Sequence, residues 1–325
     1  MKLVQTGILV ADGGDRAWIE MSGVDAPDFL QRVCTSDVLK LIPGQGQWSA
    51  MLDGKGHWIA DLLLFGLPQE DQVPCFGIDL PRALLQVVLD KLEMMHFGER
   101  MQWQARDAVR ILRLSADGTS HPVAFNATNI AQGWRLQRPD RGLPCMEEVL
   151  FDVDPAEAME SALADVGAEA QAIGARELEH LRILAKRPLW GVDFDGSTTL
   201  PNCNEWHRAS IEKGCYAGQE VIAKIHTYGE APRQLCHLDF GADPTDLAGA
   251  ELRNAEGRRM GKVSSWVWSE AEQKASGIGM LRRKAAVEGG EVFAVPMAEA
   301  GEAEPTASAS TSILGVVHIP PKVFG

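Results

Sequence analysis

The 325-residue chain has little of several features that mark particular classes of protein. Its longest apolar stretches, such as residues 58–67, reach about half of the roughly 20 residues that a helix needs to cross a bilayer. Basic residues are scarce: 31 Lys and Arg face 45 Asp and Glu, and the formal net charge is −14. Nucleic acids and anionic membranes both attract basic surfaces. The sequence therefore predicts no membrane contact and no direct nucleic-acid contact.

Cysteine is also sparse and shows no metal-site spacing. The six cysteines form no C-x-x-C pair, which argues against a disulfide framework and against a zinc or iron–sulfur site. We predict no metal site. The beginning of the chain lacks an apolar run followed by a cleavage signature, so no secretion signal is predicted. These features together predict a cytoplasmic protein with reduced thiols.

The order of the predicted elements indicates three structural regions. Over residues 1–229, short strand candidates alternate with amphipathic helices, which predicts two α+β lobes, roughly 1–105 and 106–229. After about residue 230 the pattern changes to short strands separated by turn residues. This change predicts a barrel or sandwich of five or six strands over residues 230–325.

The most unusual stretch of the sequence is Lys213–Glu220, in which two glycines bracket Cys215 and Tyr216. If a helix begins near Gly218, its first amides together with Lys213 would lower the pKa of the Cys215 thiol. The tyrosine would add a ring face and a hydroxyl. The alternative interpretation is a glycine turn around a buried and inert cysteine, and composition alone favours that alternative.

This stretch resembles the K-G-C-[FY]-x-G-Q-E signature of the YgfZ family, folate-binding proteins linked to the maintenance of iron–sulfur enzymes. That family is related to the aminomethyltransferase (T-protein) of the glycine cleavage system. Residues 24–39, 51–62 and 188–204 also resemble family segments. The resemblance implies an α+β, aminomethyltransferase-like fold of two interleaved ferredoxin-like lobes plus a C-terminal β-barrel. It also implies that the cofactor is tetrahydrofolate or a one-carbon derivative of it.

The resemblance further implies a set of site residues. Cys215 and Lys213 are expected to be catalytic. The residues expected to bind folate are Trp48, Met51, Asp53, Tyr216, Gln219, Glu220, Lys224, Arg233 and Trp266. We expect Met51 and Asp53 to share a loop. Core packing explains Trp48 and Trp266 equally well, and a surface ion pair is a slightly better explanation for Arg233.

The sequence departs from the T-protein pattern at one chemically important place. The aminomethyltransferases carry paired aspartates where this chain has Ala60 and Asp61. A methyl group cannot balance the charge that develops on an aminomethyl group. Strand alternation would also turn Asp61 to the opposite face. The family's usual Ala-Arg after the signature is Ala223-Lys224 here, so the planar guanidinium fork is lost.

By resemblance, the leading hypothesis is a tetrahydrofolate-binding accessory protein. It would serve iron–sulfur cluster assembly or repair in client enzymes, including tRNA-modifying ones, through the Lys213–Glu220 motif. Its partners would be folate and the iron–sulfur client or assembly proteins. One alternative is a folate-dependent aminomethyltransferase or demethylase, against which Ala60 weighs. The other is a scaffold that has lost ligand binding.

Overall fold

The computed structural model describes most of the chain as two compact units. The described residues are 7–14, 16–69, 73–115, 125–140, 143–229, 231–241, 246–270, 272–296 and 312–320. The first unit contains described residues within 7–178 and 206–223, and the second contains those within 179–205 and 224–320. Among the described residues, no helix is long and apolar enough to cross a membrane.

The first unit is built mainly from eleven strands. They are β1 Ile8–Asp12, β2 Arg16–Gly23, β3 Gly46–Leu52, β4 Trp58–Gly66, β5 Cys75–Pro81, β6 Met101–Arg106, β7 Val109–Ser115, β8 Asn126–Ile130, β9 Gly133–Asp140, β10 Leu143–Leu150 and β11 Ala170–Ala172. Its helices are α1 Ala26–Val33, α2 Leu85–Met95, α3 Pro155–Val166 and the beginning of α4 Ala175–Leu184.

Strands β2 to β6 form an antiparallel sheet in the order β3-β4-β5-β2-β6. Strand β4 lies inside this sheet, and its apolar sequence is buried along nearly its whole length. This burial explains why the strand is readily predicted, since a strand covered on both faces has an almost continuous apolar sequence.

The other strands of this unit form a second sheet in the order β11-β1-β7-β10-β9-β8. Strand β1 precedes β2 in the chain but pairs with β7 and β11, so the two lobes are interleaved. Helix α3 packs on this sheet, where Ala162 joins a core with Val10 and Ile111. The helix begins after Asp154, whose carboxylate accepts hydrogen bonds from two first-turn amides, and it ends at Gly167.

The two sheets share a hydrophobic core. Trp18 and Phe65 of the first sheet belong to the same buried cluster as Trp134 and Leu136 of the second. A face of each sheet is therefore removed from water by the other, which makes the first unit a single packed body.

The second unit is dominated by a closed six-stranded barrel in the order β12-β15-β14-β13-β16-β17. Its strands are β12 Arg233–Phe240, β13 Glu251–Arg253, β14 Arg259–Ser269, β15 Lys274–Arg282, β16 Glu291–Val295 and β17 Ile313–His318. Helix α5 Leu200–Cys203 also belongs to this unit, and helix α6 Gln219–Tyr228 runs from the first unit into the second. The structure therefore has a barrel, rather than a sandwich, in the C-terminal region.

Candidate functional site

The signature turn, defined as residues 213–218, leads directly into helix α6 and is anchored at three positions. The buried residues are Lys213, Tyr216 and Gly218, and the exposed ones are Gly214, Cys215 and Ala217. Cys215 is exposed, whereas the other five cysteines are buried or half-buried. The turn therefore presents one thiol to solvent between buried anchors, and the alternative of a buried cysteine does not hold.

The first anchor is the ammonium group of Lys213. It donates hydrogen bonds to the carbonyl oxygens of Gln31 at 2.7 Å, Cys34 at 2.5 Å and Ser36 at 2.7 Å. These carbonyls lie at or just beyond the end of α1, where helical carbonyls lack intrahelical partners and a cation is favourable. Burial lowers the pKa of Lys213 to about 8, so the group remains mainly protonated at neutral pH. The three contacts use all three ammonium hydrogens and leave none for Cys215.

The second anchor is the ring of Tyr216. The Lys213 nitrogen lies 5.0 Å from the centre of this ring, within the range of a cation–π contact. Its buried hydroxyl has no hydrogen-bond partner among the residues that the structure describes. Burial raises the pKa of Tyr216 to about 12, so the hydroxyl is neutral at physiological pH. It is a polar group that a bound molecule can satisfy.

The third anchor is Gly218, which adopts a φ of +80°. A Cβ at this position would lie 2.7 Å from the backbone oxygen of Asp53, so a larger residue would clash as well as being strained. Gly56 makes a similar close approach: a Cβ there would lie 3.3 Å from the side chain of Val221. The 53–57 loop is thus packed against the beginning of helix α6.

Asp53 organises that loop. Its carboxylate accepts hydrogen bonds from the amides of Lys55 at 2.8 Å and His57 at 2.9 Å. The His57 ring nitrogen Nδ1 lies 3.2 Å from the other carboxylate oxygen. Burial opposes ionisation of Asp53, but the hydrogen bonds from His57 and Lys55 outweigh it and lower the pKa. The side chain remains 40% exposed, which leaves part of the carboxylate accessible.

Three predicted residues of helix α6 have different environments. Gln219 donates from Nε2 to the backbone oxygen of Lys213 at 3.1 Å, which closes the turn on itself. Glu220 and Lys224 are exposed on the helix. Gln219 therefore shapes the signature turn, while the other two offer charged groups to solvent.

Strand β3 carries Trp48 and Met51, so the prediction of a loop is wrong for Met51. Met51 is buried and pairs with Ala60 of β4 in the sheet. The Trp48 ring is half-buried, with the guanidinium carbon of Arg208 4.5 Å from its centre. The ring of His207 lies edge-on at 5.8 Å. These contacts fix the orientation of the tryptophan ring.

Arg208 also engages the aspartate next to Ala60. Its Nη1 donates to Asp61 at 2.5 Å, and Arg16 lies 3.8 Å from the other oxygen of that carboxylate. Ala60 itself is fully buried. Two positions match the aspartate pair of the T-proteins. Ala60 has no carboxylate, and the carboxylate of Asp61 is already bound to two arginines.

Asp61 is the second member of a larger network that sequence analysis missed, named here the ionic chain. In order of contact, its members are Arg208, Asp61, Arg16, Asp79, Arg110, Glu147 and Arg138. It crosses from the first sheet to the second, because Asp79 lies on β5 and Arg110 on β7, joined by a 2.8 Å bond. Burial alone would raise the pKa of Glu147, but Arg110 and Arg138 lower it to about 2.

Two predicted site residues belong to the barrel strands of the second unit. Arg233 is exposed at the beginning of β12 and faces Arg282 of β15. Trp266 of β14 is half-buried and packs against the barrel core. In the first unit, the contacts bring together Asp53, the 213–218 turn and Gln219.

No family model matches the chain. A 120-residue stretch is 30% identical to a chloroplastic protein of Arabidopsis thaliana, covering 37% of this chain but only 27% of that relative. The chain is 27% identical to the tRNA-modifying protein YgfZ of Klebsiella pneumoniae over 77% of this chain and 78% of the relative. It is 23% identical to the mitochondrial iron–sulfur cluster assembly factor IBA57 homologue of Mycosarcoma maydis, over 69% of this chain and 55% of the relative.

A solved structure gives the relationship at the level of the fold. The glycine cleavage system aminomethyltransferase T of Bartonella henselae superposes with a TM-score of 0.81, covering 98% of this chain and 87% of that chain. The chain is a YgfZ-type relative of the T-protein. The aminomethyltransferase-like fold implied by the resemblance is confirmed. At 20% sequence identity, the superposition bears on the fold alone.

Proposed function

We propose that this YgfZ-type protein binds tetrahydrofolate and supports the assembly or repair of iron–sulfur clusters in client enzymes of the cytoplasm, including tRNA-modifying ones. The names of the YgfZ and IBA57 relatives and the aminomethyltransferase-like fold support this proposal. The observation that carries it is the exposed Cys215 on an anchored turn. Iron–sulfur client or assembly proteins are the proposed partners.

The anchoring gives Cys215 the properties of a functional thiol. Lys213 and Gly218 hold the two ends of the turn, so the thiol is exposed but the backbone around it is fixed. A reacting group needs such a rigid support to meet a partner in a defined orientation. Lys213 is accordingly a positioning residue in this proposal, and Cys215 is the group that acts.

Residues of the first unit fit a reduced folate. Trp48 offers a half-buried ring held by Arg208, and Asp53 offers a partly exposed carboxylate for the donor groups of a pterin. The buried hydroxyl of Tyr216 lacks a partner among the described residues, so a ligand can satisfy it. When bound, tetrahydrofolate supplies a carrier for one-carbon units. The other proposed folate-binding residues are Met51, Gln219, Glu220, Lys224, Arg233 and Trp266.

The structure disfavours aminomethyl transfer as the activity. In the T-proteins that this chain resembles, the first aspartate of the pair is tied to the chemistry of the aminomethyl group, as a base or an electrostatic partner. Ala60 has no carboxylate, and the carboxylate of Asp61 contacts Arg208 and Arg16. We therefore propose that folate binding serves the accessory role instead of glycine cleavage.

The role of Cys215 is tested in cells that lack the protein. The readout is the fraction of tRNA carrying a nucleoside made by an iron–sulfur tRNA-modifying enzyme. The wild-type chain and Cys75→Ser, at a half-buried cysteine, are expected to restore the modification. Cys215→Ser is expected to lose most of it. Full restoration by Cys215→Ser, at equal protein abundance, would remove the cysteine from the proposed function.

Alkylation by iodoacetamide tests the accessibility of the thiol directly. We expect Cys215 to react first among the six cysteines, because it is exposed whereas the other five are buried or half-buried. Mass spectrometry of tryptic peptides identifies the modified residue. Modification of another cysteine before Cys215 would contradict an accessible thiol at the signature turn.

A further inference from the structure

The second unit contains a cleft of about 590 Å³, and none of the residues that line it belongs to the signature turn. One wall is formed by residues between 192 and 198, and the other by strands β12, β14 and β15. Four cationic side chains line it, and we name this group the cationic cleft: Arg233, Arg259, Lys262 and Arg282. This concentration of positive charge occurs in a chain whose formal net charge is −14.

The cations of the cleft are poorly compensated. Arg233 and Arg282 are directly opposite each other on β12 and β15, an arrangement that is unfavourable for like charges. Arg259 has an ion pair with Glu251 at 3.2 Å. Within the described part of the chain, the side chains of Arg233, Lys262 and Arg282 have no carboxylate within 4.0 Å.

Two aspartates line the same cleft but do not cancel its charge. The carboxylate of Asp193 is already committed, since it accepts hydrogen bonds from Arg182 at 2.7 Å and from Ser265 at 2.7 Å. Asp195 accepts both the hydroxyl and the amide of Ser197, and these bonds, with the charge of Arg233, lower its pKa. Asp193 is thus paired with Arg182, and Asp195 is left to balance Arg233, Lys262 and Arg282, the three cleft cations that lack a carboxylate within 4.0 Å among the described residues.

We propose that the cationic cleft binds a small molecule that carries at least two anionic oxygen groups, either phosphates or carboxylates. Guanidinium groups bind both through paired hydrogen bonds. The cations lie on three neighbouring strands, which are spaced about 4.8 Å apart, so one carboxylate cannot reach all of them. Met260, Met280 and Phe194 line the remainder of the cleft and can contact an apolar part of the ligand. Arg233 is also one of the proposed folate-binding residues, but the inference rests on the charges of the cleft itself, so it stands or falls apart from folate binding.

Calorimetric titration of the full chain at low salt tests the proposal with two probes, inorganic pyrophosphate and tri-γ-glutamate. At least one probe is expected to bind saturably with one molecule per chain, and the better probe distinguishes a phosphate from a carboxylate ligand. Arg282→Gln and Lys262→Gln are each expected to weaken that binding by about tenfold or more. The matched control is Arg258→Gln, an exposed neighbour that does not line the cleft. It is expected to change the affinity by less than about twofold.

Two results would overturn the proposal. One is the absence of saturable binding for both probes with the wild-type chain. The other is an equal loss of affinity in Arg258→Gln and Arg282→Gln, which would mean that the probes respond only to overall charge. Urea unfolding of each variant shows whether it is folded, and we expect no loss of stability because removing Arg282 relieves a like-charge pair.

Discussion

Two arginine-rich regions of this protein use the same side chain in opposite ways. In the ionic chain, Arg110 is fully buried and contacts Asp79 and Glu147, so its charge is compensated within the fold. In the cationic cleft, Arg233 and Arg282 face each other and have no carboxylate within 4.0 Å among the described residues. Compensated arginines join the two sheets of the first unit. Uncompensated arginines do not help the fold, so they point to a ligand.

The largest expected effect tests the compensated region. Glu147→Gln removes the carboxylate that lies between Arg110 and Arg138 in the ionic chain. The buried guanidinium group of Arg110 then keeps only Asp79 as its ionic partner in this chain, and Arg138 loses its contact with Glu147. Breaking a buried ion pair by removing one partner costs about 3–5 kcal/mol. Urea unfolding should show a loss of this size. For Arg282→Gln in the cationic cleft, we expect a change within about 0.5 kcal/mol. Equal losses in the two variants would contradict the comparison.

A smaller effect is expected at the signature turn, where Lys213 is another compensated cation. Lys213→Met removes three hydrogen bonds to carbonyls at the end of α1. Leaving buried polar groups unsatisfied should lower the free energy of unfolding by roughly 2–3 kcal/mol. The exposed Lys224 gives the control variant Lys224→Met, for which little change is expected. If both variants have wild-type stability in urea, Lys213 is not an anchor.

Two separate losses of stability are expected in acid, one in each unit. Burial lowers the pKa of His237 in the barrel from 6.5 to about 4, so the unfolded chain binds the proton first. Its contribution to stability is lost as the pH falls from 6.5 towards 4. The pKa of Glu147 is lowered from its ordinary value of 4.5 to about 2, so its contribution to stability is lost as the pH falls from 4.5 towards 2. The free energy of unfolding is measured in urea from pH 7.5 to 3. In His237→Gln it should depend less on pH than in the wild type between pH 6.5 and 4. In Glu147→Gln it should depend less on pH below 4.5. Unchanged pH profiles in both variants would contradict these assignments.

Elements with strong local patterns can be predicted from the sequence. Strand β4 is a continuous apolar run, and helix α3 has Asp154 and Pro155 at its beginning and Gly167 at its end. Strand β3 has no such pattern, because it begins with the mixed residues Gly46 to Ser49 and because its last four residues are all buried, without alternation. Periodicity carries little information about such a strand.

The electrostatic features could not be predicted because they depend on contacts distant in sequence. Arg208 and Asp61 are 147 residues apart, and Lys213 donates to carbonyls that precede it by 177 to 182 residues. The proximity of Lys213 to Cys215 in the sequence predicted an effect on the thiol, whereas the side chain extends to α1 instead. The cationic cleft likewise forms only when the strand register places Arg282 opposite Arg233.

The central claim, that this protein binds a reduced folate, is tested most directly by calorimetric titration of the full chain with tetrahydrofolate under reducing conditions, together with a thermal shift. We predict saturable binding of one molecule per chain, and a melting temperature that rises with ligand concentration because the ligand binds the folded state. Cys215→Ser should bind equally well, since the proposal assigns the cysteine to action on the client. The absence of both binding heat and thermal shift with the wild-type chain would contradict the claim and favour a scaffold without a ligand.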